Sequence, residues 1–436
     1  MPIAIYGFGA LAELLFGYDN GIIGVSMLFL KKEMALSPGL QGLVVSSLLL
    51  GAAIGVGTAG RLADRFGRRL MLFMTGVVFA LGGAGAYIAP DVWVLIGLRF
   101  MMGLGVGASA SVVTVYLVEV APTRHRGSIG SLGQLMVVLG IFLAFVVGFI
   151  LAPFHAWRSM LGISSIPALI LVIGSLFLPE TPRWLLQQGR VAEARATLVR
   201  LGRSAGVDDE LAEISLGVKQ AGGEMTSRAV LRAMLSPALR RKLFGGIGLA
   251  VLVSLVGTNS IIYYAPSTLV HAGFHAGSAV AANVSIGITN VLFTLLGMFL
   301  IDRVGRRPML MTGSACMATS MLVLSVVTAS FGVSRLTAVV TLLSMLFFLA
   351  SFASTWGVCV RVVVSELFPT SYRGSATGFV LVLNWLMNFC VSQIFPLLLE
   401  RSAHITFLIF GAMGVFSLFF IWQVLPETAG RSLEEI

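Results

Sequence analysis

Charged side chains are scarce in this 436-residue sequence. Asp, Glu, Lys and Arg make up 11% of the residues, whereas a typical soluble protein carries about a quarter. Hydrophobic residues make up 57%, and the mean hydropathy is +0.96. Polar groups are too few to cover a water-facing surface on a chain of this length. We therefore exclude a soluble globular protein and expect most of the surface to face lipid.

Cysteine is nearly absent as well. The three cysteines Cys316, Cys359 and Cys390 all fall in apolar runs, which predicts packing residues rather than a disulfide or a metal site. The sequence has no Gly-x-x-x-x-Gly-Lys-Ser/Thr loop and no cluster of metal ligands or nucleophiles. We expect no enzyme activity, no cofactor and no bound metal.

The N-terminal stretch lacks the basic n-region of a cleaved signal peptide and is interrupted by Glu13 and Asp19. We interpret it as a retained first membrane span. Further apolar runs of about 20 residues or more follow, each long enough to cross ~30 Å of hydrocarbon as a helix. The predicted spans are 5–30, 40–60, 70–89, 92–118, 128–152, 159–178, 243–271, 276–301, 308–329, 336–364, 376–399 and 403–425.

The net charge of +10 does not indicate a nucleic-acid partner, because the basic residues occupy short turns between spans. If the N-terminus is cytoplasmic, 22 of the 29 Lys and Arg residues lie on the cytoplasmic side and five on the other. Positively charged loops remain in the cytoplasm. We therefore predict a multi-pass plasma-membrane protein with both termini cytoplasmic.

The order of the spans predicts two helical bundles joined by a polar segment. The segments are a six-helix bundle at 1–178, a cytoplasmic linker at 179–242, a second six-helix bundle at 243–425 and a cytoplasmic tail at 426–436. Within the linker, 192–201 and 209–218 alternate apolar and charged residues at helical spacing, which predicts short amphipathic helices.

The two bundles repeat the same charged motifs. Asp-Arg-Phe-Gly-Arg-Arg at 64–69 returns at 302–307 as Asp-Arg-Val-Gly-Arg-Arg. Glu-Val-Ala-Pro-Thr-Arg-His-Arg-Gly-Ser at 119–128 returns at 366–375 as Glu-Leu-Phe-Pro-Thr-Ser-Tyr-Arg-Gly-Ser, and Pro-Glu-Thr at 179–181 returns at 426–428. Two matching halves of six spans predict a pseudosymmetric secondary transporter whose site lies at the midplane between them.

With these motifs the chain resembles the sugar porter branch of the major facilitator superfamily along essentially its whole length. The resemblance implies an all-α membrane protein with twelve transmembrane helices in two pseudosymmetric six-helix halves and short cytoplasmic helices between them. It also implies sugar transport by alternating access. The partners would be a sugar or polyol, a proton and the lipid bilayer, and we expect a monomer.

Charged residues stand at the predicted cytoplasmic ends of the spans, where acidic and basic groups can pair across the halves when that side is shut. One exposed pair contributes only about 0–1 kcal/mol, but several together bias a rocking equilibrium of a few kcal/mol. The resemblance likewise implies latches that hold the outward-facing state. The alternative is that these charges only set the topology. The predicted gate residues are Asp64, Arg68, Glu119, Arg126, Glu180, Asp302, Arg306, Glu366, Arg373 and Glu427.

Asp19 lies well inside the first span, and Arg99 lies in the outer half of the fourth. A lone carboxylate at such a depth costs at least ~2.5 kcal/mol, so it should be protonated, paired or functional. An aspartate whose arginine partner comes and goes with conformation can carry a proton. The resemblance implies that this Asp and Arg couple proton uptake to transport. A static ion pair is the alternative.

Two further intramembrane charges depart from the pattern of the family. Glu13 stands where a small residue is usual, and Arg361 stands where a tryptophan is usual. We hypothesise that they approach each other across the halves as an additional inner gate. Arg361 could instead recruit an anionic substrate, or both side chains could extend to the cytoplasmic surface.

Isolated amide and aromatic side chains within the spans form the predicted sugar pocket, because hydroxyl-rich rings bind through amides and against aromatic faces. Each amide alone could instead join two helices. Val253 and Ser254 occupy positions where the family usually has two glutamines, which puts a hexose in doubt. The predicted substrate residues are Phe16, Gln134, Asn259, Tyr263, Asn290, Asn384, Trp385 and Asn388.

These observations predict proton-coupled symport of a monosaccharide, either a hexose or a pentose, or of a related polyol. A facilitative uniporter remains an alternative, and so does a transporter of a different small solute. The absent glutamines and tryptophan, together with Arg361, leave an anionic solute open.

Overall fold

A computed structural model describes residues 2–120, 126–203, 206–221, 237–368 and 373–427, and these residues form helices and turns without a β-strand. The N half contains α1 (Pro2–Glu33), α2 (Pro38–Phe66), α3 (Arg68–Ile88), α4 (Val92–Val120), α5 (Arg126–Leu151), α6 (Trp157–Gly162) and α7 (Ser165–Phe177). The connecting segment contains α8 (Pro182–Gln187), α9 (Val191–Arg200) and α10 (Val207–Ala221). The C half contains α11 (Pro237–Leu255), α12 (Thr258–His271), α13 (Ala276–Val304), α14 (Arg306–Phe331), α15 (Arg335–Ser354), α16 (Trp356–Glu366), α17 (Arg373–Arg401) and α18 (Ala403–Val424).

Twelve helical segments of the described chain are long and apolar enough to cross a membrane, six in each half. This confirms the predicted number and order of spans. Three spans are broken into two helices: α6 and α7, α11 and α12, and α15 and α16. The break between α11 and α12 falls at Gly257, whose φ of +85° favours glycine. Pro266 lies inside α12 without ending it.

The turns predicted at 61–69 and 302–307 are much shorter in the structure. Only Gly67 separates α2 from α3, and only Gly305 separates α13 from α14, with φ values of +92° and +97°. Glycine adopts such a positive φ without steric cost because it has no Cβ, so a single residue can connect the two helices. The charged residues on either side of each glycine therefore belong to the ends of the helices and not to a loop.

Helices within the N half approach each other closely through small residues. A methyl group added at Gly51 or Gly55 of α2 would overlap a backbone carbonyl oxygen of α4, and one added at Gly103 or Gly107 of α4 would overlap one of α2. Such contact excludes lipid and lets backbones pack directly. The N half is thus a tightly packed unit around α2 and α4.

The halves touch at one end of the bundle and diverge toward the other. We call the end at Gly67 and Gly305 the motif end. A methyl group added at Gly42 on α2 would overlap the Gln393 carbonyl oxygen on α17. One at Gly57 would lie 3.7 Å from Val382 Cγ2, and one at Gly60 would have nothing within 4 Å. The seam between α2 and α17 therefore opens toward the motif end.

The helices predicted at 192–201 and 209–218 are confirmed as α9 and α10, while α8 was not predicted. This segment is attached to the N half. Trp184 Nε1 donates to the Asp64 carbonyl oxygen at 2.9 Å, Arg200 to that of Phe177 at 2.8 Å, and Arg203 to that of Val120 at 2.5 Å. The segment boundaries 1–178, 179–242, 243–425 and 426–436 stay predictions.

All three cysteines are free. Cys359 is buried and Cys316 is half-buried, as packing residues should be. The prediction is wrong for Cys390, which is exposed on α17. Apolar neighbours in the sequence therefore did not distinguish this exposed position from a core position.

Candidate functional site

Asp19 and Arg99 form a buried ion pair within the N half. Arg99 Nη1 donates to Asp19 Oδ1 at 3.0 Å and Nη2 to Oδ2 at 3.1 Å, while Arg99 Nε donates to the Val44 carbonyl oxygen at 2.6 Å. Both residues are 2% exposed. A buried charge is tolerated when it is paired and fully hydrogen-bonded. The pair joins α1, α4 and α2 in the present conformation.

The C half reaches this ion pair through α12. Tyr263 interacts electrostatically with Asp19 and Arg99, and its hydroxyl lies beside Asn388 of α17. A methyl group added at Gly24 of α1 would overlap the Tyr263 carbonyl oxygen. Helices α1 and α12 therefore pack against each other close to the Asp19–Arg99 pair.

A second contact between the halves closes the end opposite the motif end. Ser46 Oγ donates to Gln393 Oε1 at 2.8 Å, and Gln393 Nε2 donates to the Gly39 carbonyl oxygen at 3.0 Å. Sequence reasoning missed both side chains. The available signal was an isolated glutamine in the eleventh span, two turns beyond Asn384 and Trp385.

An aromatic contact crosses the middle of the interface. The rings of Phe16 on α1 and Trp385 on α17 meet edge to face with centroids 5.3 Å apart. Both are buried. Two of the three aromatic residues predicted for the pocket are therefore brought together from opposite halves, and Asp19 lies one turn along α1 from Phe16.

The predicted amides fall into two groups. Asn384 Nδ2 donates to the Ala250 carbonyl oxygen at 2.7 Å and to Ser254 Oγ at 3.4 Å, so it joins α17 to α11. Asn388 Oδ1 accepts from Ser392 Oγ at 3.2 Å. In the described part of the chain Gln134, Asn259 and Asn290 make no hydrogen bond to protein.

Several buried polar side chains that were not predicted also lack partners. Asn283 is fully buried on α13, and neither its amide oxygen nor its nitrogen finds a partner among the described residues. The hydroxyl groups of Ser260, Ser267 and Thr268 on α12 are likewise buried without a hydrogen-bond partner among the described residues. Asn283 precedes Asn290 by seven residues and so shares its helix face, which was the signal that could have found it.

The charged motifs form equivalent networks in the two halves. Arg68 pairs with Asp64 at 3.0 Å and with Glu119 at 3.4 Å. Arg306 pairs with Asp302 at 3.3 Å and with Glu366 at 3.5 Å. Each network lies within its own half, so pairing across the halves stays a prediction for a state closed at the motif end. The side chains of Arg126 and Arg373 lie outside the described residues.

Glu180 and Glu427 cap helices. Glu180 accepts from the backbone N–H groups of Arg68 at 3.0 Å and Arg69 at 3.1 Å, at the start of α3. Glu427 accepts from those of Arg306 at 3.0 Å and Arg307 at 3.1 Å, at the start of α14. A carboxylate at a helix N-terminus satisfies free N–H groups and meets the positive end of the helix dipole.

Glu13 and Arg361 lie on opposite halves and form no ion pair with each other among the described residues. Glu13 on α1 is 2% exposed, and its Oε1 is buried without a hydrogen-bond partner in the described chain. Arg361 on α16 is exposed and interacts electrostatically with Glu13. The two residues form no ion pair in this conformation, so the hypothesis of an inner gate remains untested.

Comparison with known proteins agrees with this fold. Residues 8–436 match the family described as Sugar (and other) transporter. YwtG of Bacillus subtilis, a putative metabolite transport protein, is 41% identical over 435 residues, which cover 100% of this chain and 94% of YwtG. The glucose transporter GlcP of Staphylococcus epidermidis is 38% identical over 434 residues, covering 99% of this chain and 96% of GlcP.

Solved structures of the Escherichia coli xylose transporter XylE match as well. Its partially occluded inward-open conformation has a TM-score of 0.85 and 28% identity and covers 99% of each chain. The proton:xylose symporter XylE bound to 6-bromo-6-deoxy-D-glucose has a TM-score of 0.80 and 29% identity, covering 100% of this chain and 98% of XylE.

Twelve helices able to span a membrane, in two matching halves, together with the match to a family of transporters, define a multi-pass membrane transporter rather than an enzyme. The chain belongs to the Sugar (and other) transporter family, in the sugar porter branch of the major facilitator superfamily. The family resemblance carried by the repeated motifs is confirmed.

Proposed function

We propose that the protein is a proton-coupled symporter of a monosaccharide or a related polyol. The observation that carries this proposal is the Asp19–Arg99 pair, which is buried in the N half and interacts electrostatically with Tyr263 of the C half. A carboxylate paired with a guanidinium stays ionised, and one that loses its partner in a buried place binds a proton. Movement of α12 against α1 changes the surroundings of the pair, which couples protonation to the rocking of the halves.

The present conformation corresponds to one end of the transport cycle. The halves touch at Gln393 and diverge at the motif end, as in an inward-open transporter. The basic residues of the motif end place it in the cytoplasm by the positive-inside rule. On this proposal both termini are cytoplasmic, the protein resides in the plasma membrane, and it works as a monomer.

The solute would bind around the Phe16–Trp385 contact. Gln134, Asn259 and Asn290 would supply free amides to its hydroxyls, and Asn388 would do so next to Tyr263. Asn384 is better explained as a link between α17 and α11. Relatives that transport glucose and xylose support a sugar of this size.

A facilitative uniporter is the second candidate. It is favoured by the fully satisfied geometry of the Asp19–Arg99 pair, which would also suit a static structural role. The two functions differ in their response to a proton gradient. A gradient of one pH unit corresponds to 1.36 kcal/mol, so a symporter with one proton per sugar accumulates its solute up to about tenfold, and a uniporter does not accumulate it.

The test is uptake into proteoliposomes that contain the purified protein. Hexoses, pentoses, inositols and organic acids are offered in turn, with and without an inward proton gradient. We expect accumulation of one neutral sugar or polyol that disappears when a protonophore is added. Equilibration without accumulation would identify a uniporter. Accumulation of organic acids alone would refute the sugar assignment.

A further inference from the structure

A cavity of about 530 Å³ lies beside the N half, near the motif end. It is lined by the start of α3, the end of α7, and the helices α8 and α9 of the connecting segment. All of its lining residues belong to the N half and to that segment, so the cavity is separate from the solute pocket predicted between the halves. Its volume is within the range of small-molecule sites, about 300–1,000 Å³. We call it the α3–α9 cavity.

Part of the α3–α9 cavity consists of apolar side chains that the protein leaves uncovered. Phe66, Leu70 and Leu176 line the cavity, and their exposed fractions are 46%, 43% and 54%. Leu70 and Leu176 belong to two spans of which only 39% is buried within the protein. Uncovered apolar side chains at the end of a membrane span face lipid. The cavity is therefore continuous with the lipid-facing surface of the bundle.

Two arginines that line the same cavity form no ion pair within the described chain. Arg69 of α3 donates to the carbonyl oxygens of Ser175 at 3.0 Å and Leu176 at 2.5 Å. Arg200 of α9 donates to the carbonyl oxygen of Phe177 at 2.8 Å. Both guanidinium groups therefore lie at the end of α7, on neighbouring carbonyl groups. Each guanidinium has five N–H donors, so both retain donors for a further acceptor.

The carboxylates that line the cavity have partners of their own. Glu193 forms two hydrogen bonds with Arg190, at 2.7 and 2.6 Å, and Glu180 caps α3. Neither carboxylate pairs with Arg69 or Arg200 through its side chain. With three arginines and two glutamates in its lining, the cavity is positively charged. A positive cavity that is continuous with a lipid-facing surface favours an anion that also has an apolar part.

An anionic phospholipid combines these two properties. Guanidinium groups bind phosphate oxygens through paired, charge-assisted hydrogen bonds, and basic pockets at the cytoplasmic surface of membrane proteins bind anionic lipid headgroups. A soluble phosphate matches only the arginines, whereas an acyl chain also covers Phe66, Leu70 and Leu176.

We propose that the α3–α9 cavity binds an anionic phospholipid. Arg69 and Arg200 hold the phosphate of its headgroup. An acyl chain lies along Leu70 and Leu176, and on the proposed topology the lipid belongs to the cytoplasmic leaflet. The headgroup bridges α3 and α9 and so helps to hold the connecting segment against the N half. The inference goes beyond the proposed function and does not depend on which solute is transported.

The test measures lipid binding to the purified, delipidated protein in detergent by native mass spectrometry. Dioleoylphosphatidylglycerol is the anionic probe, and dioleoylphosphatidylcholine is the zwitterionic probe. Both carry the same two acyl chains, so any difference in Kd reports the headgroup. We expect one molecule of the anionic lipid to bind about 10-fold more tightly than the zwitterionic lipid, because two arginines face its net negative charge.

Arg200→Gln should raise the Kd of dioleoylphosphatidylglycerol about 10-fold, since it removes charged donors from the phosphate. Arg195→Gln is the matched control, because Arg195 is exposed on the same helix, pairs with Asp208 at 3.1 Å and lies outside the cavity. The control lowers the net charge by the same amount and should leave Kd unchanged. Equal losses in the two variants would mean that the lipid responds to overall surface charge, which would overturn the cavity as the site.

The unaltered protein separates a lipid from a soluble phosphate, whether or not a variant folds. Each buried CH2 group of a lipid strengthens binding about fourfold, so inorganic phosphate at about a 100-fold molar excess should leave dioleoylphosphatidylglycerol bound. Displacement by phosphate would identify a soluble anion as the ligand and overturn the lipid. Equal Kd values for the two lipids would overturn the anionic class. None of these measurements involves transport, so this inference and the proposed function fail independently.

Discussion

Gln393 of the C half accepts a 2.8 Å hydrogen bond from Ser46 of the N half and returns one to the backbone of Gly39 at 3.0 Å. The Gln393 side chain therefore links α17 to two residues in the first half of α2. The contact lies at the end where the halves touch, far from the motif end. It stabilises the present conformation relative to one that opens on this side.

Gln393→Leu should shift the conformational equilibrium toward opening at this end. Two hydrogen bonds between the halves contribute about 1–2 kcal/mol, which corresponds to a change of about 5- to 30-fold in the ratio of the two states. Spin labels on Lys32 and Arg401, both exposed at this end, report the opening as a longer distance in double electron–electron resonance.

The matched control for this substitution is Ser351→Ala. Ser351 is half-buried and its hydroxyl donates only to the Phe347 carbonyl oxygen of its own helix, so loss of this hydroxyl should leave the distance distribution unchanged. An unaltered distribution in Gln393→Leu would show that the contact does not hold the halves together.

Asp19→Asn should abolish proton-driven accumulation while solute exchange continues. The amide cannot carry the proton, and the buried Arg99 loses its ionised partner. In proteoliposomes with a gradient of one pH unit we expect accumulation to fall from about tenfold to none, with counterflow still measurable. Asp91→Asn is the control, because Asp91 only accepts from the N–H groups of Trp93 and Val94 at an exposed helix start. Persistent accumulation in Asp19→Asn would exclude this residue as the proton carrier.

Gly67→Ala should destabilise the protein more than Gly305→Ala. Both positions have positive φ, which costs a non-glycine residue about 1–3 kcal/mol. A Cβ at Gly67 would also overlap Glu180 Oε2, whereas one at Gly305 would lie 3.0 Å from Glu427 Oε2. Thermal unfolding in detergent should give a lower midpoint for Gly67→Ala. Equal midpoints would mean that the capping carboxylates adjust at no cost.

Two glycines of α2 offer a comparison within one helix. Gly55→Ala would push a methyl group onto the Leu104 carbonyl oxygen, whereas Gly57→Ala would place it 3.7 Å from Val382 Cγ2. Overpacking typically costs about 1–3 kcal/mol, while alanine at an unobstructed helical site is favoured over glycine by about 0.5–1 kcal/mol. Gly55→Ala should therefore lower the unfolding midpoint and Gly57→Ala should not. The reverse order would contradict the described contact between α2 and α4.

The sequence was sufficient to predict twelve spans, the two matching halves and the helices α9 and α10, because each depends on local hydropathy, periodicity or a repeated motif. It also singled out Asp19 and Arg99, since a charge deep in an apolar run stands out. Whether the two side chains pair directly depends on tertiary packing, and their similar predicted depth in the membrane was the one indication of pairing in the sequence. The break at Gly257 was not predicted, although the polar residues Thr258, Asn259 and Ser260 directly follow this glycine and interrupt the apolar run.

The roles of Asn384 and Glu180 show where sequence reasoning stops. An amide within a span looks the same whether it faces a cavity or a backbone carbonyl, and only the position of Ala250 on α11 decides for Asn384. Glu180 reads as a charge at a membrane boundary, but its carboxylate is occupied by N–H groups from α3, more than a hundred residues away in the chain.

The anchoring of α8, α9 and α10 to the N half has a practical consequence. Hydrogen bonds from Trp184, Arg200 and Arg203 tie this segment to carbonyl groups of α2, α7 and α4. A fluorophore on α9 would therefore report the tilt of the first six spans. An antibody fragment bound to α9 and α10 would be held rigidly relative to these spans. Such a fiducial would leave the other half free to move during imaging.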